Sequence, residues 1–168
     1  MKERLLVGVL GTQNSGKSYT WNTLFGRRVR TGTNLRRLYF SEYEYVEVFL
    51  ISGSPEERGI YVEDIITIEK PHIVLCSMQY TPNVIETIKW FADNGYFFFI
   101  HWLNPGYSDK DKKEDHLNIL KIIMEYDSLV GIRNGKTNAE ERVQEMRDFI
   151  YGWAKHRGLL KIKWQRQK

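Results

Sequence analysis

Apolar residues in this chain follow two rhythms that alternate along its length. One is short and unbroken: Leu5-Leu6-Val7-Gly8-Val9-Leu10 has strand length and no polar side chain, the pattern of a strand covered on both faces. Residues 46–51, 72–77 and 96–103 are three more runs, rich in β-branched or aromatic side chains. Residues 38–40 and 129–132 are weaker strand candidates. The other rhythm is helical. Residues 17–25 turn Trp21, Leu24 and Phe25 inward. Thr81-Pro82 offers a cap and a first-position proline for a helix with the stripe Val84, Ile85, Ile88 and Phe91, ended by Asn94-Gly95. Residues 113–126 put Leu117, Leu120 and Met124 on one face. Thr137-x-x-Glu140 is a capping box, followed at helical spacing by Val143, Met146, Ile150 and Trp153 and stopped by Gly158. Ser54-Pro55-Glu56-Glu57 opens another helix, which Gly59 weakens.

Strands alternating with helices predict a three-layer α/β/α sandwich around a mostly parallel sheet. No repeat and no Pro/Gly/Ser linker divides the chain. It reads as one domain over residues 1–158 with a basic tail over 159–168.

Between the first strand and the first helix stands Gly11-Thr12-Gln13-Asn14-Ser15-Gly16-Lys17-Ser18, a match to G-x-x-x-x-G-K-[ST] at every fixed position. Glycines let the backbone curl so that successive N–H groups meet phosphate oxygens. The lysine reaches the β- and γ-phosphates, and the serine hydroxyl coordinates Mg²⁺. The positive end of the following helix points at the same anions. The expected nucleotide contacts are therefore Gly11 to Ser18 together with Tyr19. A strand before the motif and an amphipathic helix after it supply the context that the motif requires.

These residues resemble the P-loop nucleoside-triphosphatase superfamily. Asn14-Ser15-Gly16-Lys17-Ser18, followed by Asn22-x-Leu24-Phe25-Gly26, is similar to the first motif of translation-factor-type GTPases. The resemblance implies a Mg²⁺-bound ATP or GTP and a threonine, Thr31 or Thr33, closing on the metal and the γ-phosphate. It also implies a water-positioning acid, for which Glu56 and Glu57 are the candidates, with Arg58 beside them to stabilise transferred charge. The likeness then thins. Ser52 stands where a magnesium-orienting carboxylate is expected at a strand end, and Asn104-Pro105-Gly106-Tyr107-Ser108-Asp109 lacks the lysine and spacing of a guanine-reading N-K-x-D. Glu56 and Glu57 also have a plainer reading, as first-turn acids favoured by the helix dipole.

Composition excludes several classes. The 168 residues carry 25 Lys and Arg against 21 Asp and Glu, with 42% hydrophobic residues, an ordinary globular balance. No apolar run approaches the roughly 20 residues of a membrane-spanning helix. Residues 5–10 are too short for a signal peptide. The single Cys76 can form no internal disulfide, so a cytoplasmic location is expected. Four scattered histidines show no zinc-ligand spacing.

The net charge of +4 hides an uneven distribution. Arg27, Arg28, Arg30, Arg36 and Arg37 sit together without an acid between them, and Lys155, Arg157, Lys161, Lys163, Arg166 and Lys168 crowd the end. What remains carries 14 cations and 21 acids, a body of −7 with two basic segments. Three functions fit. The first is a small switch-like or subunit NTPase that hydrolyses Mg-ATP or Mg-GTP. The second is a P-loop kinase whose arginine cluster clamps a phosphate in transfer. The third is a catalytically weak nucleotide-binding subunit that holds nucleic acid or a protein partner through the arginine cluster and the tail.

Overall fold

The computed structural model describes residues 2–164. In chain order the elements are β1 (Arg4–Gly11), α1 (Lys17–Phe25), β2 (Arg36–Tyr39), β3 (Glu44–Ile51), α2 (Pro55–Arg58), α3 (Val62–Ile65), β4 (Ile73–Gln79), α4 (Val84–Asp93), β5 (Tyr96–Leu103), α5 (Ile119–Ile123), β6 (Ser128–Arg133), α6 (Glu140–His156) and β7 (Lys161–Ile162). They form an α/β fold on a seven-stranded, mostly parallel sheet ordered β2-β3-β4-β1-β5-β6, with β7 paired to β3. β3, β4, β1, β5 and β6 pair in parallel, whereas β2 and β7 run antiparallel to β3.

β1 is central because its apolar run serves both faces. Leu5, Val7 and Val9 join one core with Trp21 and Leu24 of α1 and Val143, Met146 and Ile150 of α6. Leu6 and Leu10 join the other, with Val84, Ile88 and Phe91 of α4 and Ile119 and Ile123 of α5. Strand alternation sends neighbouring residues to opposite faces, so a strand buried twice over can spare no polar position. Trp21 is fully buried and its indole N–H donates to Ser77 Oγ at 2.8 Å, tying α1 to β4.

Two helix expectations are corrected. The helix expected over 113–126 is confined to Ile119–Ile123. Hydrogen bonds hold the preceding residues elsewhere: Lys113 exchanges two with the Asn104 side chain, and the Asp115 carboxylate accepts from Ile119 N, Leu120 N and Tyr80 OH. Asn118, at φ 56°, then starts the short helix. Accordingly Ile119 and Ile123 point inward, and Met124 is exposed. Thr137 does not cap α6 either. Ala139 occupies that position, Thr137 Oγ1 donates to Asn134 O, and Asn138 Oδ1 accepts from Glu140 N. The Ser54 cap does form, accepting from Glu57 N at 3.2 Å, and Gly59 at φ 63° ends α2 after one turn. In the segment read as a tail, Leu159 and Leu160 pack on the first core and Lys161–Ile162 is β7; Arg166 and Lys168 lie outside the described residues.

Candidate functional site

The loop of residues 11–18 leaves the carboxyl end of β1 between β4 and β5, where ligands collect in open α/β sheets. Its turn needs glycine at both ends. A Cβ on Gly11 would lie 2.2 Å from Ser15 Oγ, and Gly16 takes φ 103°. Asn14 adopts φ 56°, which asparagine tolerates better than most residues. α1 begins at Lys17 with no side chain capping its first turn, so its positive end faces the loop.

Two neighbouring loops brace this turn from outside. Tyr107 N donates to Ser15 O at 3.0 Å and Ser108 N to Asn14 O at 3.2 Å. Thr12 Oγ1 donates to the Asp109 carboxylate at 3.1 Å, and the same carboxylate accepts from Gly106 N. Gly106 and Gly135 permit this contact: a Cβ on either would fall 2.6 Å from Ser15 Cβ or 2.5 Å from Ser15 O respectively. Arg142, 3% exposed, ties the ensemble to α6 by donating to Thr20 Oγ1 and Asn134 O.

The Lys17 side chain, 6% exposed, folds back over the turn. Nζ donates to Thr12 O at 2.8 Å and Gly11 O at 3.3 Å, and lies 3.3 Å from Glu57 Oε1. Burial lowers its pKa, and the carboxylate of Glu57 opposes that without cancelling it. Before it opens a cavity of about 850 Å³ lined by residues 13–19, Ser52, Glu57, Tyr107, Ser108 and residues 135–138. Ser15 Oγ is buried with no hydrogen-bond partner among the described residues.

The expected site residues divide. Gln13, Asn14, Ser15, Gly16, Lys17, Ser18, Tyr19 and Glu57 line this cavity together, and Gly11 and Thr12 form its floor through the Lys17 bonds. Glu56 faces away: its carboxylate accepts from Gln79 N at 2.8 Å and Thr87 Oγ1 at 3.0 Å, and burial raises its pKa. It braces α2 against β4 and α4 instead of meeting a substrate. Thr33 lines a different groove, and its carbonyl accepts from Thr67 Oγ1. Thr31 comes nearer, its hydroxyl accepting from Ser52 N at 2.9 Å and so pinning the arginine loop to the end of β3. Arg58 lays its aliphatic stem beside Gly53, and none of the clustered arginines lines the Lys17 cavity.

Sequence reading missed the far wall: Tyr107, Ser108, Gly135, Lys136 and Asn138. Lys136 Nζ donates to Tyr107 O at 3.1 Å, joining the loops after β5 and β6. The available signal was positional, since Asn104-Pro105-Gly106 and Asn134-Gly135 both follow apolar strands at their carboxyl ends. Cys76 is fully buried, which pushes its thiol pKa up and leaves it inert. Among the described residues no group of His, Cys, Asp and Glu side chains is placed to hold a metal ion by itself, and no helix is long and apolar enough to cross a membrane.

No family model matches the chain, and no curated protein does. Solved structures do match in fold. One is the crystal structure of a mutation variant of SsGBP, with a TM-score of 0.50 and 18% identity over 90% of this chain. The matched region is 57% of that chain, so the likeness spans little more than half of its length and concerns the fold.

Proposed function

We propose that this chain is a P-loop nucleoside triphosphatase that binds Mg-ATP or Mg-GTP in the cavity before Lys17 and hydrolyses the γ-phosphate. One observation carries the reading. A buried ammonium is held over a glycine-edged turn at an uncapped helix start, with a carboxylate 3.3 Å away and room for a ligand in front. Helices on both sheet faces support the three-layer α/β/α arrangement that such proteins share. That likeness is one of fold and motif, and the activity is this reading's own.

The donor set suits magnesium. Ser18, Ser52 and Glu57 offer hard oxygens on one wall, and Mg²⁺ is commonly held by one or two protein oxygens together with substrate phosphates. Ser18 would hold the ion, with Ser52 and Glu57 reaching it through water. Bound there, magnesium would neutralise charge building on the phosphate oxygens. The protein's own groups do the rest. Lys17 exchanges its carbonyl partners for phosphate oxygens, whose negative charge favours the ammonium form that burial opposes. Glu57, released from Lys17 by the same exchange, is free to orient the attacking water and accept its proton. Tyr107 and Lys136 stand on the far wall, their loops joined by the bond from Lys136 Nζ to Tyr107 O.

Transfer to a second substrate is disfavoured because none of the clustered arginines, which a kinase would need at the phosphate, lines the Lys17 cavity, and Arg27, Arg36 and Arg37 line another groove. The weak-subunit reading keeps one specific support, Ser52 in place of a strand-end carboxylate. Titrating ATP and GTP with and without Mg²⁺, and then following phosphate release, tests the proposal. Nucleotide binding lost in Lys17→Ala and release into water support it. Equal binding by Lys17→Ala overturns it, and binding without release moves the assignment to the weak subunit.

A further inference from the structure

Parts of the two cationic segments, far apart in sequence, meet in space at β2, β3 and β7. β7 pairs Ile162 with Glu44 and Lys161 with Tyr45 of β3, whose other side pairs with β2. Alternation along these strands puts Arg37, Tyr39, Tyr45 and Lys161 on one sheet face. Lys163 extends the row: its amide donates to Tyr43 O at 2.6 Å, and its ammonium lies 6.0 Å from the Tyr39 ring. Trp164 follows, 85% exposed.

Around the outer edge of β2 runs a groove of about 710 Å³ lined by Arg27, Arg36, Arg37 and Arg147 with Phe25 and Tyr39 among them. Among the described residues no carboxylate lines it. Arg27 is near enough to Arg36 to oppose its charge, and both press in a chain whose other regions are acidic. Glu47, across from Arg37 on the same face, pairs with Lys161, which leaves Arg37 and Lys163 as the cations of the row, and Glu44 is engaged by Tyr151.

We propose that this composite face binds the phosphate backbone of a single-stranded nucleic acid. Arg27, Arg36 and Arg37 bring guanidinium groups that match a run of phosphates, Arg36 with one nitrogen already on Arg30 O, while Arg147 is held by Leu24 O and Tyr39 O and shapes the groove wall. Cations interleaved with aromatic rings, and an exposed indole at the end of the row, suit a backbone track with base stacking. An acidic peptide could gain main-chain hydrogen bonds here only by adding to β2 as a strand. The outward carbonyl of Tyr39, which strand addition would use, already accepts from Arg147 Nη2 at 2.6 Å.

Fluorescence anisotropy with labelled oligothymidylate and oligouridylate tests this. Neutralising about four phosphates predicts an affinity loss of about 50-fold between 50 and 200 mM salt. Arg36→Gln with Arg37→Gln, and separately Lys163→Gln with Trp164→Ala, should each weaken binding at least about tenfold with the far-UV spectrum unchanged. Lys110→Gln with Lys112→Gln, which removes equal charge elsewhere, should change it little. Lys17→Ala should bind oligonucleotide normally, so this proposal and the nucleotide reading fail separately. Absence of binding at low salt, salt-independent binding, or undiminished binding by the arginine pair variant overturns it. A polyglutamate peptide binding as tightly as the oligonucleotide would also overturn it and assign the face to an acidic protein.

Discussion

Lys17 Nζ and Glu57 Oε1 stand 3.3 Å apart, joining the turn after β1 to the single helical turn after β3. Neither residue is satisfied by its own element. The ammonium bridges the loop carbonyls and the carboxylate, and a ligand phosphate must displace that arrangement to be held.

If the site takes a nucleotide as proposed, Glu57 competes with it for Lys17 before serving the reaction. Glu57→Gln should tighten nucleotide binding several-fold and slow phosphate release by about 10²-fold or more, the usual contribution of a positioned acid–base group. Calorimetric titration and a phosphate-release assay measure the two effects. Unchanged release would remove Glu57 from the chemistry.

Holding Lys17 in this site costs stability. Its folded-state pKa lies below the ordinary value of 10.5, with burial the main cause. The charged form is thus penalised at neutral pH, and the penalty is relieved as pH rises through the lowered value toward 10.5. Lys17→Met should raise the Tm at pH 7, by about 2–4 °C for each kcal/mol recovered in a chain of this size, while abolishing nucleotide binding. Calorimetric melts at pH 7 and pH 10 check this, because the advantage of Lys17→Met should shrink at the higher pH.

Gly135 is predicted to matter although it carries no side chain. A Cβ there would sit 2.5 Å from Ser15 O and 3.1 Å from Pro105 O, both backbone atoms with little room to yield. Gly135→Ala should displace the turn and weaken nucleotide affinity by about tenfold or more, with cooperative unfolding retained. Equal affinity in the two proteins would show that the brace does not shape the turn.

His101 supplies a pH signature independent of any ligand. Burial first, then Arg133, lower its pKa to about 4 against the opposing pull of Glu145. The ring is therefore neutral in the folded chain at pH 7, and its 3.9 Å approach to Glu145 is no ion pair there. The unfolded chain takes up a proton near 6.5 and the folded one only near 4, so stability falls as pH drops between those values, by up to about 3 kcal/mol. Urea midpoints from pH 4 to 7.5 should fall less steeply in His101→Phe than in the wild type. Parallel profiles would show that His101 does not carry this dependence.

Much of the fold was legible because its signals are local. The unbroken run at Leu5 to Leu10, the glycines bracketing 11–16 and the stripe of α6 depend on neighbours within a few residues. Where a local signal met a distant hydrogen bond, the distant one won. Asn104 holds Lys113 and Asp115 caps the next turn, so the expected helix over 113–126 shrank to five residues. Glu56 and Glu57 were indistinguishable in sequence. On one helical turn adjacent side chains diverge by about 100°, so only one of them can face Lys17.

By itself, then, the sequence determined the strands β1 to β6, the turn of residues 11–18, and the presence of two cationic segments on an acidic body. The tertiary structure alone decided that β4 stands between β3 and β1, that Glu57 faces Lys17 and Glu56 does not, and that the arginine loop turns Thr33 away. It also decided that Arg37 of one basic segment shares a sheet face with Lys161 of the other. Periodicity and turn chemistry are written in contacts between near neighbours. Strand order and the meeting of distant charges are set by which surfaces bury together, and that depends on the whole chain at once.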